Sequence, residues 1–316
     1  MQDATATVRA RLMTWAARLR EPFATKARRR RMLTAYTFML PSLVVLAVFM
    51  FYPLVRAAWL SLTNYAFFGS SHFIGLGNYV QLVHDPQFWG DLVNTVYYAG
   101  VTTPVSVALA LALALLLNRQ RLPGRGILRA AIFVPAVVSL AVAAIPFRLM
   151  FTPSIGFATF WLARLGIHTS DWLTSQTLAM PAVIIVGIWK NVGFYMVIYI
   201  AGLQTIPREF YEAATIDGAS PWARFRRITL PLLSNTTMFV TIIAAIASFQ
   251  AFDQIFVMTG GGPAFSTETL VMLIYREGFS NFQMGYASAI GYVLLLIILV
   301  LSLLQMRFFN RRIVRY

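Results

Sequence analysis

Side chains able to do covalent or metal chemistry are few in this chain, and their spacing suits none of the common mechanisms. There is no cysteine, which excludes thiol nucleophiles, thiolate metal sites and disulfides. The three histidines, His72, His84 and His168, lie far apart in sequence and lack metal-ligand spacing. The sequence offers no Ser-His-Asp arrangement, no His-Glu-x-x-His and no paired carboxylates within an apolar segment, so an enzyme is not expected. Gly260-Gly261-Gly262-Pro263 is followed by no Lys-Ser/Thr and preceded by no strand; it reads as a tight turn and not as a phosphate cradle. No other stretch binds nucleotide by a recognisable pattern, so no cofactor is expected on this chain.

The polar groups left over stand inside apolar segments, where their chemistry is hydrogen bonding. Lys190 and Asn191 are followed by Phe194 and Tyr195, and a later segment carries Gln250, Asp253 and Gln254. Donors and acceptors beside aromatic faces suit polyols, and an ammonium also suits a phosphorylated solute. A charge within hydrocarbon costs about 2.5–3.5 kcal/mol on insertion scales, so such a group faces a cavity or a partner. Two readings of Lys190 stand side by side: it lines a translocation cavity, or it pairs with a partner subunit or with backbone carbonyls. Asp253 likewise either meets an entering solute or caps its segment in interfacial water.

The elements that must carry these residues follow from composition. The 316 residues are 59% hydrophobic and 12% charged, against about 25% charged in a soluble domain. The apolar residues fall into continuous blocks long enough to cross the ~30 Å hydrocarbon core as helices, and they do not alternate as barrel strands do. We read six spans at about 33–55, 92–117, 127–150, 180–203, 232–257 and 287–309. They form one membrane domain, 33–309, between a basic N-terminal tail, 1–32, and a basic C-terminal tail, 310–316. Helical rise puts Lys190 roughly 15 Å from the start of the fourth span, near the midplane, and Asp253 roughly 30 Å along the fifth, near its far end. That difference in depth argues against an ion pair between them.

Formal net charge is +15, and its distribution argues for topology and not for nucleic acid. Nine basic residues lie from Arg9 to Arg31. Arg119, Arg121, Arg125 and Arg129 follow the second span, Arg208, Arg224, Arg226 and Arg227 follow the fourth, and Arg307, Arg311, Arg312 and Arg315 close the chain. The opposite side holds Arg56, Arg148, Arg164 and Arg276. This asymmetry makes both termini cytoplasmic and the surplus an attraction to anionic membrane lipid. Residues 7–20, with Val8, Leu12, Trp15 and Leu19 at helical spacing, suit an interfacial helix or a disordered basic tail. The first apolar run is too long and starts too late for a cleaved signal peptide.

The loop between the fourth and fifth spans, 204–231, carries its own start and stop signals. Pro207 ends the span, Arg208 to Ile216 can form a helix, and Asp217-Gly218 suits a helix stop. Ser220-Pro221 is an N-cap followed by proline at the first helical position. Trp222, Phe225 and Ile228 then recur at spacing three among Arg224, Arg226 and Arg227, and Pro231 leads into the fifth span. The result is a two-helix, partly apolar knob that a soluble partner could grip.

Glu212-Ala213-Ala214, three residues, Gly218, nine residues, Ile228, one residue and Leu230-Pro231 resemble the EAA loop of binding-protein-dependent ABC importer permeases at every position. Phe51-Tyr52-Pro53, Gly75 to Tyr79, Trp189-Lys190, Ser248 to Asp253, Thr259 to Pro263 and Met284 to Ala287 are similar to the carbohydrate-uptake branch, which includes maltose-type and glycerol-3-phosphate-type permeases. Ile274 to Phe279 and Val314-Arg315-Tyr316 lean toward the latter. The resemblance implies an all-α type I importer permease fold with six transmembrane helices and cytoplasmic coupling helices, in a bacterial inner membrane. It implies a second homologous permease, two ATPase subunits that hold the ATP and Mg2+, and an external substrate-binding protein. Glu212, Ala213, Ala214, Asp217, Gly218, Ile228, Leu230 and Pro231 would then couple the chain to the ATPase. The cargo would be a sugar, an oligosaccharide or a glycerol phosphate. A gradient-driven secondary transporter is the competing reading; it lacks an evident inverted repeat and membrane acids.

Overall fold

The computed structural model describes residues 26–66, 71–119, 122–152, 156–164 and 172–310. The expected interfacial helix at 7–20, His168 and the last six residues lie outside them. The chain divides into two units, Met1–Trp59 and Leu60–Tyr316.

In the first unit, α1 (Lys26–Leu46) passes through a π-helical turn at Ala47–Phe51 into α2 (Tyr52–Ser61), whose last two residues belong to the second unit, without a break, although Pro41 lies inside it. The helix is long and apolar enough to cross a membrane, and Phe38 and Phe49 are among its many exposed apolar side chains.

The second unit begins with α3 (Gly77–His84) and α4 (Pro86–Leu117). Asp85 caps α4 by accepting from the Gln87 amide at 2.9 Å, with Pro86 at the first helical position. After the bent segment α5 (Arg125–Val137) and α6 (Leu140–Met150) and the short α7 (Phe157–Arg164) comes α8 (Ala179–Gln204). The loop knob holds α9 (Arg208–Ile216), α10 (Pro221–Arg224), a π-helical stretch Phe225–Thr229 and α11 (Leu230–Leu232). Then follow α12 (Ser234–Phe249), α13 (Asp253–Met258), α14 (Leu270–Tyr275) with a π-helical turn at Arg276–Ser280, and α15 (Met284–Asn310).

Helices α4 and α8 form the central pair. The alternating Ala-Leu run of α4 turns Ala110 and Ala114 toward α8, and these small side chains let Met196 and Tyr199 pack closely. Leu117, Leu203 and Leu233 complete this cluster, so the arginine-rich ends of α4, α8 and α12 share one end of the unit. A second cluster gathers Tyr98, Ala144, Met180, Val183 and Ile255 at the opposite end, and a third joins Phe88, Phe249, Leu270 and Ile290.

Among the described residues five helices, or six with the bent pair taken as one, are long and apolar enough to span. The expected span 127–150 is not one rod: α5 and α6 meet at 99°. Val138 is extended (ψ 142°) and Ser139 starts the second half. Pro135 and Pro146 flank the break, and each removes one helical hydrogen bond. Packing sets the direction, because α5 lies on α8 and α6 lies on α13. Gly193 allows the first contact: a Cβ there would run into the Ile132 carbonyl oxygen. The expected span 232–257 is also interrupted, at Gln250–Phe252 between α12 and α13. The glycine turn is observed with Gly260 at φ +60° and Gly261 at φ +88°, a conformation that glycine adopts without steric cost.

Candidate functional site

Two sites were expected, and the structure gives each a shape. The loop site is built by local signals. Helix α9 stops where the Gly218 amide donates to Thr215 O (3.1 Å) and the Ala219 amide to Ala214 O (2.9 Å), with Gly218 in the left-handed region at φ +74°. Helix α10 starts where Ser220 Oγ accepts from the Ala223 amide at 3.2 Å, with Pro221 next. Two side-chain bonds tie the arms together: Arg224 Nη1 donates to Thr215 Oγ1 at 2.9 Å, and Tyr211 and Thr229 share a hydroxyl bond at 3.0 Å. Ala214 is buried under this joint, whereas Glu212, Ala213, Asp217 and Gly218 are exposed. Ile228 and Pro231 are half-buried and Leu230 is exposed. The knob presents apolar surface outward, with Ile216 87% and Trp222 67% exposed and the rings of Trp222 and Phe225 5.4 Å apart. A solvated loop has no use for such exposure; a partner's cleft does. Pro231 does not open the fifth span directly. Helix runs through it, and the chain turns at Leu233 before Ser234.

The second site lies where the two broken segments approach α8. A cavity of about 180 Å³ is lined by Tyr98, Leu140, Asn191, Ser248 and the stretch from Gln250 to Gln254. The structure thus brings four expected residues together: Asn191, Gln250, Asp253 and Gln254. Irregular backbone in a membrane protein persists where it lines a cavity, and here the ends of both interruptions, at Leu140 and at Gln250–Phe252, do so. Gln254 Nε2 donates to the Tyr98 hydroxyl at 2.8 Å, while Gln254 Oε1 is buried with no partner among the described residues. Thr103 Oγ1 donates to Ser248 Oγ at 3.2 Å. Asn191 Nδ2 donates to Gly187 O in its own helix, at 3.0 Å. Asp253 is exposed in the first turn of α13, where a carboxylate suits the helix dipole.

Lys190, Phe194 and Tyr195 do not line this cavity. Lys190 Nζ donates to Ala136 O at 2.7 Å, one of the carbonyls left open where α5 ends, so the ammonium meets a backbone carbonyl and not Asp253. Phe194 points outward and half-exposed, 5.8 Å from the Tyr195 ring, and Tyr195 is buried in the core of α4 and α8. Sequence reasoning missed Tyr98, and it named Ser248 only within the family resemblance and not as a site residue. Their signal was a hydroxyl in an apolar run, which many core positions share.

Around the far end, the connecting segments are held by a buried polar cluster. Arg276 Nη1 bonds Glu268 Oε2 at 2.9 Å, Gln87 Nε2 bridges Asp91 (2.8 Å) and Glu268 (3.2 Å), and the Tyr286 hydroxyl donates to Asp85 at 2.6 Å. Glu268 is 2% exposed, and burial pushes its carboxyl up to about 6 against the opposing pull of Arg276.

Residues 73–315 match the family described as "Binding-protein-dependent transport system inner membrane component". The "Lactose transport system permease protein LacF" of Rhizobium radiobacter is 39% identical over 276 residues, covering 85% of this chain and 92% of that protein. The "sn-glycerol-3-phosphate transport system permease protein UgpA" of Yersinia enterocolitica is 35% identical over 283 residues, covering 89% and 95%. In fold, the chain is similar to one in the crystal structure of a bacterial alginate ABC transporter in complex with alginate pentasaccharide-bound periplasmic protein. The TM-score is 0.80 at 24% identity, over 89% of this chain and 96% of that one.

Proposed function

This chain belongs to the family of binding-protein-dependent transport system inner membrane components, and on that premise we propose how it divides the work of import. It is a multi-pass, non-catalytic permease subunit of an ATP-driven importer, and the gradient-driven alternative has no support. The cargo is a sugar, an oligosaccharide or a glycerol phosphate, passed along a path formed with a second permease. An external binding protein delivers the cargo, and two ATPase subunits holding ATP and Mg2+ drive the cycle. Both termini lie on the cytoplasmic side of a bacterial inner membrane, as the arginine distribution favours.

Coupling enters through the 204–231 loop. The observation that supports this is the knob itself: two capped helices, cross-tied by Arg224 to Thr215, with Ile216 and Trp222 exposed. The path runs by Asn191, Gln250 and Gln254, whose amides fit solute hydroxyls. Lys190 positions the walls of that path by holding the end of α5. Gly218→Val tests the coupling. A β-branched residue at φ +74° is strongly disfavoured, so the angle between α9 and α10 changes. The variant is expected to stay in the membrane and to lose about tenfold or more of the ATP hydrolysis stimulated by loaded binding protein, on the order of 1.4 kcal/mol of coupling. Undiminished stimulation in the assembled complex would refute the assignment.

A further inference from the structure

Away from the transport path, the arginine-rich end of the second unit carries a pocket with no role so far. A cavity of about 510 Å³ lies between the C-terminal ends of α4 and α8 and the first turns of α5 and α9. Asn118, Arg125, Arg129, Gln204, Arg208 and Tyr211 give it polar walls, and among the described residues no carboxylate lines it. The ion pairs recorded among the described residues both belong to Arg276, in the connection that follows α13.

Arg129 is the least exposed of the three arginines. Its Nη2 donates to Leu117 O at 2.7 Å and so closes the end of α4. Its Nε is buried and has no partner among the described residues. A buried guanidinium donor left without an acceptor is costly. Helix α5 adds to the imbalance. It starts at Gly124 (φ +67°) with no side-chain cap and no acid in its first turn, and it carries Arg125 at its first position. Cations at a helix N-terminus oppose the dipole, and an anion there would satisfy both the free amides and the arginines. Topology alone asks only for arginines near the boundary, in water. It does not ask for a buried Nε.

We propose that this pocket binds a phosphate-bearing anion, the headgroup of an anionic phospholipid in the leaflet at the arginine-rich face. A phosphodiester supplies acceptors for the guanidinium forks. The lipid source follows from what adjoins the arginines: Ile127, Leu128 and Val134 are exposed apolar residues on the same helix, a track for acyl chains beside the headgroup. Arg208 and Tyr211 belong to α9, so the bound lipid braces the root of the two-helix knob.

Native mass spectrometry of the purified full chain in detergent tests this, with phosphatidylglycerol, phosphatidylcholine and inorganic phosphate as probes. One phosphatidylglycerol is expected to bind saturably, and phosphatidylcholine is not. Arg125→Gln and Arg208→Gln remove charge without touching the Leu117 bond. Each is expected to weaken phosphatidylglycerol about fivefold, and the pair about 25-fold. Helical circular dichroism checks that each variant is folded, and the single variants decide if the pair is not. Inorganic phosphate displacing the lipid, and staying bound in its place, would overturn the lipid source. Equal binding of phosphatidylcholine, or unchanged phosphatidylglycerol binding in folded variants, would overturn the pocket.

Discussion

The Lys190 ammonium is bonded to a carbonyl at the end of a broken helix, which changes what its removal should do. In Lys190→Met the part-buried Ala136 oxygen loses its donor, and the loss of such a hydrogen bond costs about 1 kcal/mol. The melting temperature of the purified chain should therefore fall, uptake should fall with it, and Lys190→Arg should restore most of both. A methionine variant that melts like the parent while uptake collapses would return Lys190 to direct solute contact. Glu268 makes a prediction in pH. Its folded carboxyl titrates at about 6, above the ordinary 4.5, because burial outweighs Arg276. The folded state thus binds the proton more tightly than the unfolded chain. The stability this contributes is complete below about 4.5 and lost as pH rises through about 6. Melting curves between those values should show the slope, and Glu268→Gln should flatten it.

At the scale of elements, the break in the third span is held by one close approach. Gly193 brings the α5 backbone against α8, and a Cβ would meet the Ile132 carbonyl. Gly193→Val should push the two helices apart and cost about 1–3 kcal/mol, read as a lower melting temperature with weakened uptake. This element also marks the limit of what could be read in advance. Continuous apolar runs announced the spans, because a helix satisfies its own backbone in hydrocarbon and a barrel strand would alternate. The knob was legible almost residue by residue, since Ser220-Pro221 and Gly218 are local signals with local causes. The breaks were not. Pro41 and Pro104 lie inside unbroken helices, so Pro135 and Pro146 did not announce a bend of 99°. Gln250-Ala251-Phe252 holds neither glycine nor proline. Both interruptions are decided by packing between distant segments, α5 on α8 and α6 on α13, and so was the assembly of Tyr98 and Ser248 with Asn191 and Gln254.

Taken as a whole molecule, the chain exposes apolar surface at its knob as well as along its spans. Lipid covers the spans, but Ile216 and Trp222 stand on a loop outside them. For a cell, this makes an unassembled copy a liability. If the proposed ATPase docks on this knob, a chain made without it offers proteases and chaperones the very patch the ATPase would hide, and its survival becomes a matter of subunit dosage. Pulse-chase labelling should find a lifetime several-fold shorter when the ATPase is absent, with Trp222→Ser lengthening it toward that of the assembled complex. On the proposed coupling role, the exposed indole would also serve as a timer, counting how long the permease has waited for its motor.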